Sequence, residues 1–144
     1  AAQYAYSKLR KPVVVEDAGL FIYALKGFPG PYSSYVFKTI GIEGILKLLE
    51  GLHDRSARFV SVVALAINEN DIIVFRGEVE GSIVLRPRGS EGFGFDPIFM
   101  PQGQGETFAE MDAWRKTMVS HRGIAFRKLG EWVSKNRDKL IRLL

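Results

Sequence analysis

The feature that most constrains the fold is an apolar run in the middle of the chain, from Arg58 to Asn68. Apolar residues fill nearly every position of this run, which predicts a strand that is covered on both faces. Asn68 to Asp71 supplies turn residues, and Ile72 to Val79 returns as a second strand, so the pair predicts a hairpin. Gly81 to Leu85 predicts the start of a third strand. Because these strands lie between helical segments, we expect an α/β fold with a mixed twisted sheet and flanking helices.

Helical patterns on either side of these strands predict the elements that cover the sheet. Ala1 to Arg10 has helical spacing and is stopped by Pro12, and Ser33 or Ser34 is suited to cap a helix. Ser120 is suited to cap the last helix. The chain starts within a helical pattern and without a methionine, so we expect a further segment upstream of Ala1.

Length and composition limit the class of protein. The 144 residues suffice for one domain, which we expect to span 1–144. The absence of cysteine excludes disulfides and thiolate metal sites. No apolar run approaches the ~20 residues of a membrane-spanning helix, and the N-terminal residues lack the apolar core of a secretory signal, so we expect a cytoplasmic protein. A net charge of +4 suits a nucleic acid and a nucleoside triphosphate equally.

Two adjacent carboxylates, Glu16 and Asp17, follow the β-branched run Val13 to Val15. If the strand ends there, both lie at the rim of the sheet, where α/β proteins bind their ligands. Such a pair suits a hard cation such as Mg²⁺, or a general base close to a phosphate. An acidic pair that only ends a strand in a solvated turn remains the alternative.

The stretch from Glu91 to Phe99 reads EGFGFDPIF and combines aromatic rings, glycines and one carboxylate. An exposed ring beside Asp96 would give a planar heterocycle a stacking face and a hydrogen-bond acceptor. A glycine-rich turn that enters a core strand is the alternative reading of these nine residues.

Four segments, in the order VVVEDAGL, GFPGPYSSY, GFGFDPIF with TFAEM after it, and KTMVSHRG, closely resemble the inosine triphosphate pyrophosphatase (HAM1/RdgB-like) family. The resemblance extends from about Val13 to about Val133. It implies hydrolysis of noncanonical purine nucleoside triphosphates (ITP, dITP, XTP) to the monophosphate and pyrophosphate with Mg²⁺. It also implies two lobes around a central cleft, and a homodimer. We expect a purine nucleoside triphosphate as the partner, and no stable nucleic-acid partner.

The resemblance also implies roles for ten residues. Asp17 would bind the metal and act as the base for the attacking water, and Glu16 would support it. Ala18 stands where relatives often carry a hydroxyl that touches the substrate. The remaining seven would bind the base and nucleoside, with Phe93 or Phe95 stacking on the purine: Phe93, Gly94, Phe95, Asp96, Lys116, His121 and Arg122. The family's N-terminal strand and phosphate loop, with an Asn-Lys pair and a further glutamate, cannot be placed on this sequence.

Specificity for the purine can be argued from the start of the last helix. Inosine and xanthosine carry an acceptor oxygen at C6, where adenosine carries a donor amine. Donors from His121 and Arg122 would pair with the oxygen and leave the amine badly paired. Two alternatives stay open: a Maf-type pyrophosphatase that acts on modified pyrimidine nucleotides, and a noncatalytic nucleotide- or RNA-binding module.

Overall fold

The computed structural model describes residues 1–143, which form helices packed around one antiparallel sheet. Its α-helices and strands, in chain order, are α1 Ala2–Leu9, β1 Val13–Ile22, α2 Ser33–Thr39, α3 Gly41–Leu48, β2 Ser56–Ala66, β3 Ile72–Ile83, β4 Phe99–Pro101, α4 Ala113–Val119, α5 His121–Lys135 and α6 Arg137–Leu143. None of the helices in this described part of the chain has the length and apolar character to cross a membrane.

The sheet has the order β1-β2-β3-β4, and each neighbouring pair of strands is antiparallel. The predicted α/β class, with helices against a sheet, is confirmed. The sheet itself differs from our expectation, because we expected parallel and antiparallel strands together and the described strands are all antiparallel. The β2–β3 hairpin forces one antiparallel pair. The helical segment between Ile22 and Ser56 returns to the end of the sheet that β1 has just reached, as the pairing of Ile22 with Ala57 shows. Strand β2 therefore starts beside the end of β1 and runs antiparallel to it.

Strand β1 is longer than the sequence indicated. It pairs in regular register with β2 from Val13 to Ile22 and does not end before Glu16. The two carboxylates therefore lie within a strand, where Glu16 is opposite Val63 and Asp17 is opposite Val62. Since side chains alternate along a strand, they leave opposite faces of the sheet.

The third predicted strand is the end of the second one. Residues 81–83 belong to β3, which runs without interruption to Ile83. The next strand, β4, follows the glycine-rich stretch, and its Phe99 pairs with Ile83. The glycine-rich stretch therefore connects two adjacent strands at one end of the sheet.

Helix α5 packs across β2 and β3 and brings its first residues close to the sheet. Gly77 of β3 permits this approach, because a Cβ atom there would lie 2.0 Å from the carbonyl oxygen of His121. The main core lies on this side of the sheet, and its buried residues include Leu20, Phe59, Phe99 and Phe108. This packing places the N-terminus of α5 beside the middle of β1 and β2.

Candidate active site

All ten residues that the sequence singled out line one cavity of about 370 Å³. They come from β1, from the loop before β4, and from α4 and α5. Its other lining residues, which sequence reasoning missed, are Ser33, Ser34, Phe37 and Phe59. Small-molecule sites commonly have volumes of ~300–1,000 Å³, so the cavity can hold part of a nucleotide.

The two carboxylates of β1 have different environments. Glu16 accepts hydrogen bonds from Arg122 at both Nε, at 2.9 Å, and Nη2, at 3.1 Å. It also accepts one from the hydroxyl of Ser61, at 2.8 Å. Asp17 is exposed at the cavity, and its carboxylate makes no hydrogen bond or ion pair with any of residues 1–143. Asp17 is therefore the carboxylate that remains available to a ligand.

Ser61 was not predicted as a site residue, although its sequence position carries a signal. It is a polar residue inside the apolar run of β2, and it is fully buried. A buried hydroxyl needs a hydrogen-bond partner, and here that partner is Glu16. An isolated serine in a strand covered on both faces was thus the available clue.

The loop before β4 is held by Asp96. Its buried carboxylate accepts a hydrogen bond from the backbone N–H of Phe93 at 3.0 Å and another from Lys116 Nζ at 2.5 Å. Gly92 leaves room for this carboxylate, because a Cβ there would lie 2.1 Å from Asp96 Oδ2. One oxygen of the acceptor that we expected to face a purine is therefore used to shape the loop.

The two phenylalanines of this loop are not equivalent. Phe95 is 4% exposed and belongs to the buried core, and the edge of its ring packs against the more exposed Phe37, with ring centroids 5.3 Å apart. Phe93 is 60% exposed. Lys116 Nζ lies 4.6 Å and Arg122 Cζ 4.9 Å from the centroid of the Phe93 ring. Of the two rings proposed to stack on a base, Phe93 is the one with an accessible face.

His121 is the first residue of α5, after Ser120, whose hydroxyl accepts the N–H of Gly123 as predicted for an N-cap. The imidazole is 4% exposed and stacks on Phe59, with centroids 4.5 Å apart. Burial, and then the charges of Arg122 and Lys116, lower the pKa of His121 from 6.5 to about 3. The ring is therefore neutral at physiological pH, with one donor and one acceptor nitrogen.

A second cavity, of about 460 Å³, adjoins the first one. Phe93, Lys116, His121 and Arg122 line both. Its further lining comes from Glu91, Gly92, Met111 and Ser120, and from other residues of α4 and α5. The four shared residues thus lie at the boundary between the two spaces, where a bound planar group would meet a ring, two cations and a neutral imidazole.

The described residues contain no group of three histidines or carboxylates that could hold a metal ion by itself. Asp17 offers one free carboxylate, whereas Glu16 is occupied by Arg122 and Ser61. Mg²⁺ is commonly held by one or two carboxylates, substrate phosphates and water. A cation bound through Asp17 and the oxygens of a phosphate is compatible with this donor set.

Comparison with known proteins gives a consistent result. The model of the Ham1 family matches residues 1–132. The dITP/XTP pyrophosphatase of Hyperthermus butylicus is 58% identical over 133 residues, which cover 92% of this chain and 70% of that protein. The dITP/XTP pyrophosphatase of Methanopyrus kandleri is 53% identical over 135 residues, which cover 94% of this chain and 72% of that protein.

Solved structures agree with this result. The Ham1 protein of Staphylococcus aureus superimposes with a TM-score of 0.86 at 33% identity, over 94% of this chain and 73% of that one. A HAM1 protein from Coxiella burnetii gives a TM-score of 0.87 at 37% identity, over 93% of this chain and 73% of that one.

Proposed function

This chain belongs to the Ham1 family, and we propose that it hydrolyses noncanonical purine nucleoside triphosphates such as dITP and XTP to the monophosphate and pyrophosphate. The relatives named dITP/XTP pyrophosphatase support this reaction class. The observation that carries the proposal is a single cavity that joins a free carboxylate, Asp17, to an exposed ring, Phe93, and to two cations. An enzyme that hydrolyses a nucleoside triphosphate must bind both the base and the phosphates. In this proposal the base lies at the Phe93 end of the cavity and the phosphates lie at the Asp17 end.

Base recognition in this proposal uses Phe93, His121 and Arg122. The purine stacks on the exposed ring of Phe93, while His121 and Arg122 donate hydrogen bonds to the oxygen at C6. His121 can donate as a neutral group, since its pKa lies at about 3. An amine at C6 would face donors in the same place, and each buried mispaired group costs about 1–3 kcal/mol. This mechanism favours inosine and xanthosine over adenosine.

At the phosphate end, we assign Asp17 two tasks: its carboxylate would hold Mg²⁺, and it accepts the proton of the attacking water. The bound cation would neutralise charge on the phosphate oxygens, which is the main requirement of phosphoryl chemistry. Lys116 is paired with Asp96 and faces Phe93, so it orders the base end of the cavity.

The substitution Asp17→Asn tests this assignment. It should lower kcat for dITP by about 100-fold or more, since general-base catalysis contributes roughly 10²–10⁴-fold. Binding of the product IMP, measured by calorimetry, should change little. Glu50→Gln is the matched control, because Glu50 is an exposed carboxylate in the turn after α3 and lines neither cavity. Full activity of Asp17→Asn would refute its catalytic role.

We also propose that the protein acts as a homodimer in the cytoplasm and has no stable nucleic-acid partner. The resemblance to the family supports the dimer, and the lack of cysteine fits a reducing compartment. Light scattering on the purified protein should give twice the chain mass. A monomer that is fully active would contradict the dimer.

A further inference from the structure

The register of β1 separates the two neighbouring carboxylates. Glu16 and Ala18 lie opposite Val63 and Ser61, on the face of the sheet that α5 covers. Asp17 lies opposite Val62, on the other face. Both border the cavity because β1 is the edge strand of the described sheet. Adjacent in sequence, they are therefore poorly placed to act as one pair on the same proton or ion.

The carboxylate of Glu16 is bound to two side chains, those of Arg122 and Ser61. Its carboxylate accepts two hydrogen bonds from the Nε–Nη2 edge of Arg122 and one from the buried hydroxyl of Ser61. Its side chain is 20% exposed. A two-point contact between a guanidinium and a carboxylate fixes orientation as well as distance. Ser61, held in β2, fixes the carboxylate in turn.

This contact determines where Arg122 can present its other donors. With Nε and Nη2 bound to Glu16, its guanidinium carbon lies 4.9 Å from the centroid of Phe93. Nη1 donates to no other group among residues 1–143. An arginine side chain carries about 2 kcal/mol of rotamer entropy, so fixing it before the substrate arrives strengthens binding.

We propose that Glu16 is a positioning residue that, supported by Ser61, holds Arg122 over Phe93 so that its free donors meet the oxygen-bearing edge of a stacked purine. The inference rests on the proposed function and assigns Glu16 to base recognition, away from the metal and the attacking water. Asp17 alone then serves the phosphate end from β1.

The test is Glu16→Gln, which keeps the shape and removes the charge. KM for dITP should rise about tenfold, which is the effect of about 1.4 kcal/mol. The preference for dITP over dATP in kcat/KM should fall, while kcat stays within about threefold and the Mg²⁺ concentration for half-maximal rate is unchanged. Ser61→Ala should shift KM in the same direction by less. Calorimetry with IMP should show the same weakening of binding.

Two further variants separate positioning from general damage. In an Arg122→Ala background, Glu16→Gln should cause no additional loss of IMP binding, because the two residues act as one unit. Glu78→Gln is the matched control: Glu78 binds Arg58 at 3.1 Å and Arg76 at 3.0 Å, and it lines neither cavity. It should leave KM and the preference for dITP unchanged.

The inference fails if Glu16→Gln keeps KM and the preference for dITP but lowers kcat 100-fold or raises the Mg²⁺ requirement tenfold. If this variant does not fold, as judged by circular dichroism, an unchanged KM in Ser61→Ala overturns the inference and a raised one supports it. If the wild-type protein does not hydrolyse dITP, the proposed function is refuted but the inference about Glu16 is still tested. In that case IMP binding is compared between the wild type and the Glu16 variants.

Discussion

The structure lowers the pKa of the buried His121 imidazole far below its ordinary value. It is stacked on Phe59, and the side chains of Arg122 and Lys116 add positive charge nearby. Its pKa is about 3 in the folded chain, whereas a solvated histidine, as in the unfolded chain, has a pKa of 6.5. Between these values the unfolded chain binds a proton that the folded chain does not, so stability falls as the pH falls through this window.

This pKa difference predicts a pH effect on stability. From pH 7 to pH 5 the free energy of unfolding should decrease by up to about 2 kcal/mol through this one residue. Urea unfolding of the wild type and of His121→Gln measures it, and the variant should show a smaller decrease. The sequence has one other histidine, His53, which is exposed, so His53→Gln is the control. Identical pH dependences in wild type and His121→Gln would contradict the assignment.

The exposed ring of Phe93 leads to a prediction about binding. Phe93→Ala should lower kcat/KM for dITP roughly 10- to 100-fold, since stacking of a base on an aromatic ring contributes about 1–3 kcal/mol. Thermal stability should change little because the ring is mostly exposed. Tyr35→Ala removes a ring of α2 that is at least as exposed as Phe93 and lines neither cavity, and it should leave KM unchanged. An unaltered KM in Phe93→Ala would place the base elsewhere.

At the residue scale, the composition of the cavity was predictable and its internal pairing was not. Short motifs contain the ten residues, and the structure brings all ten to one cavity. The bonds between Glu16 and Arg122 join positions 106 residues apart, and those between Asp96 and Lys116 join positions 20 apart. Such pairs depend on how elements pack, which local sequence patterns do not encode. The roles of these residues stay predictions.

At the scale of elements, the contact between α5 and β3 positions His121 and Arg122. A Cβ at Gly77 would lie 2.0 Å from the carbonyl oxygen of His121 and 2.7 Å from the amide nitrogen of Ala125. These are backbone atoms, so relief requires movement of the whole helix. The missing side chain at Gly77 therefore sets the distance between the helix and the sheet.

Gly77→Ala should reduce the free energy of unfolding by about 1–3 kcal/mol, because overpacking displaces the start of α5. It should also weaken IMP binding. Gly130→Ala is the control. Gly130 lies in α5 itself, and a Cβ atom added there meets no atom within 4 Å. That substitution should be neutral or stabilise by about 0.5–1 kcal/mol. Thermal unfolding of both variants measures the contrast, and equal melting temperatures would argue against a close contact.

The error in the extent of β1 also has its cause at this scale. Glu16 and Asp17 look like the end of a strand because charged side chains are rare inside a sheet. At an edge strand one carboxylate can stay solvated while the other meets Arg122 from the opposite face. A charged residue is tolerated within β1 because Arg122 of α5 pairs with Glu16. Helix α5 begins more than a hundred residues further along the chain, so the local sequence around Glu16 does not indicate this partner.

At the scale of the whole molecule, local connections were predictable and long ones were not. The hairpin of β2 and β3 follows from a turn of four residues between apolar runs. The direction of β1 beside β2 depends on a connection of more than thirty residues that contains α2 and α3. Its path is decided by packing over the sheet, so we expected mixed strands where the described sheet is antiparallel.

The most direct test of the account compares dITP and XTP with dATP and dTTP as substrates of the purified protein with Mg²⁺. We expect pyrophosphate and the monophosphate as products, and a kcat/KM for dITP and XTP at least about 100-fold above that for dATP, as two mispaired contacts would produce. Equal rates on dITP and dATP, a preference for dTTP, or release of inorganic phosphate in place of pyrophosphate would contradict it.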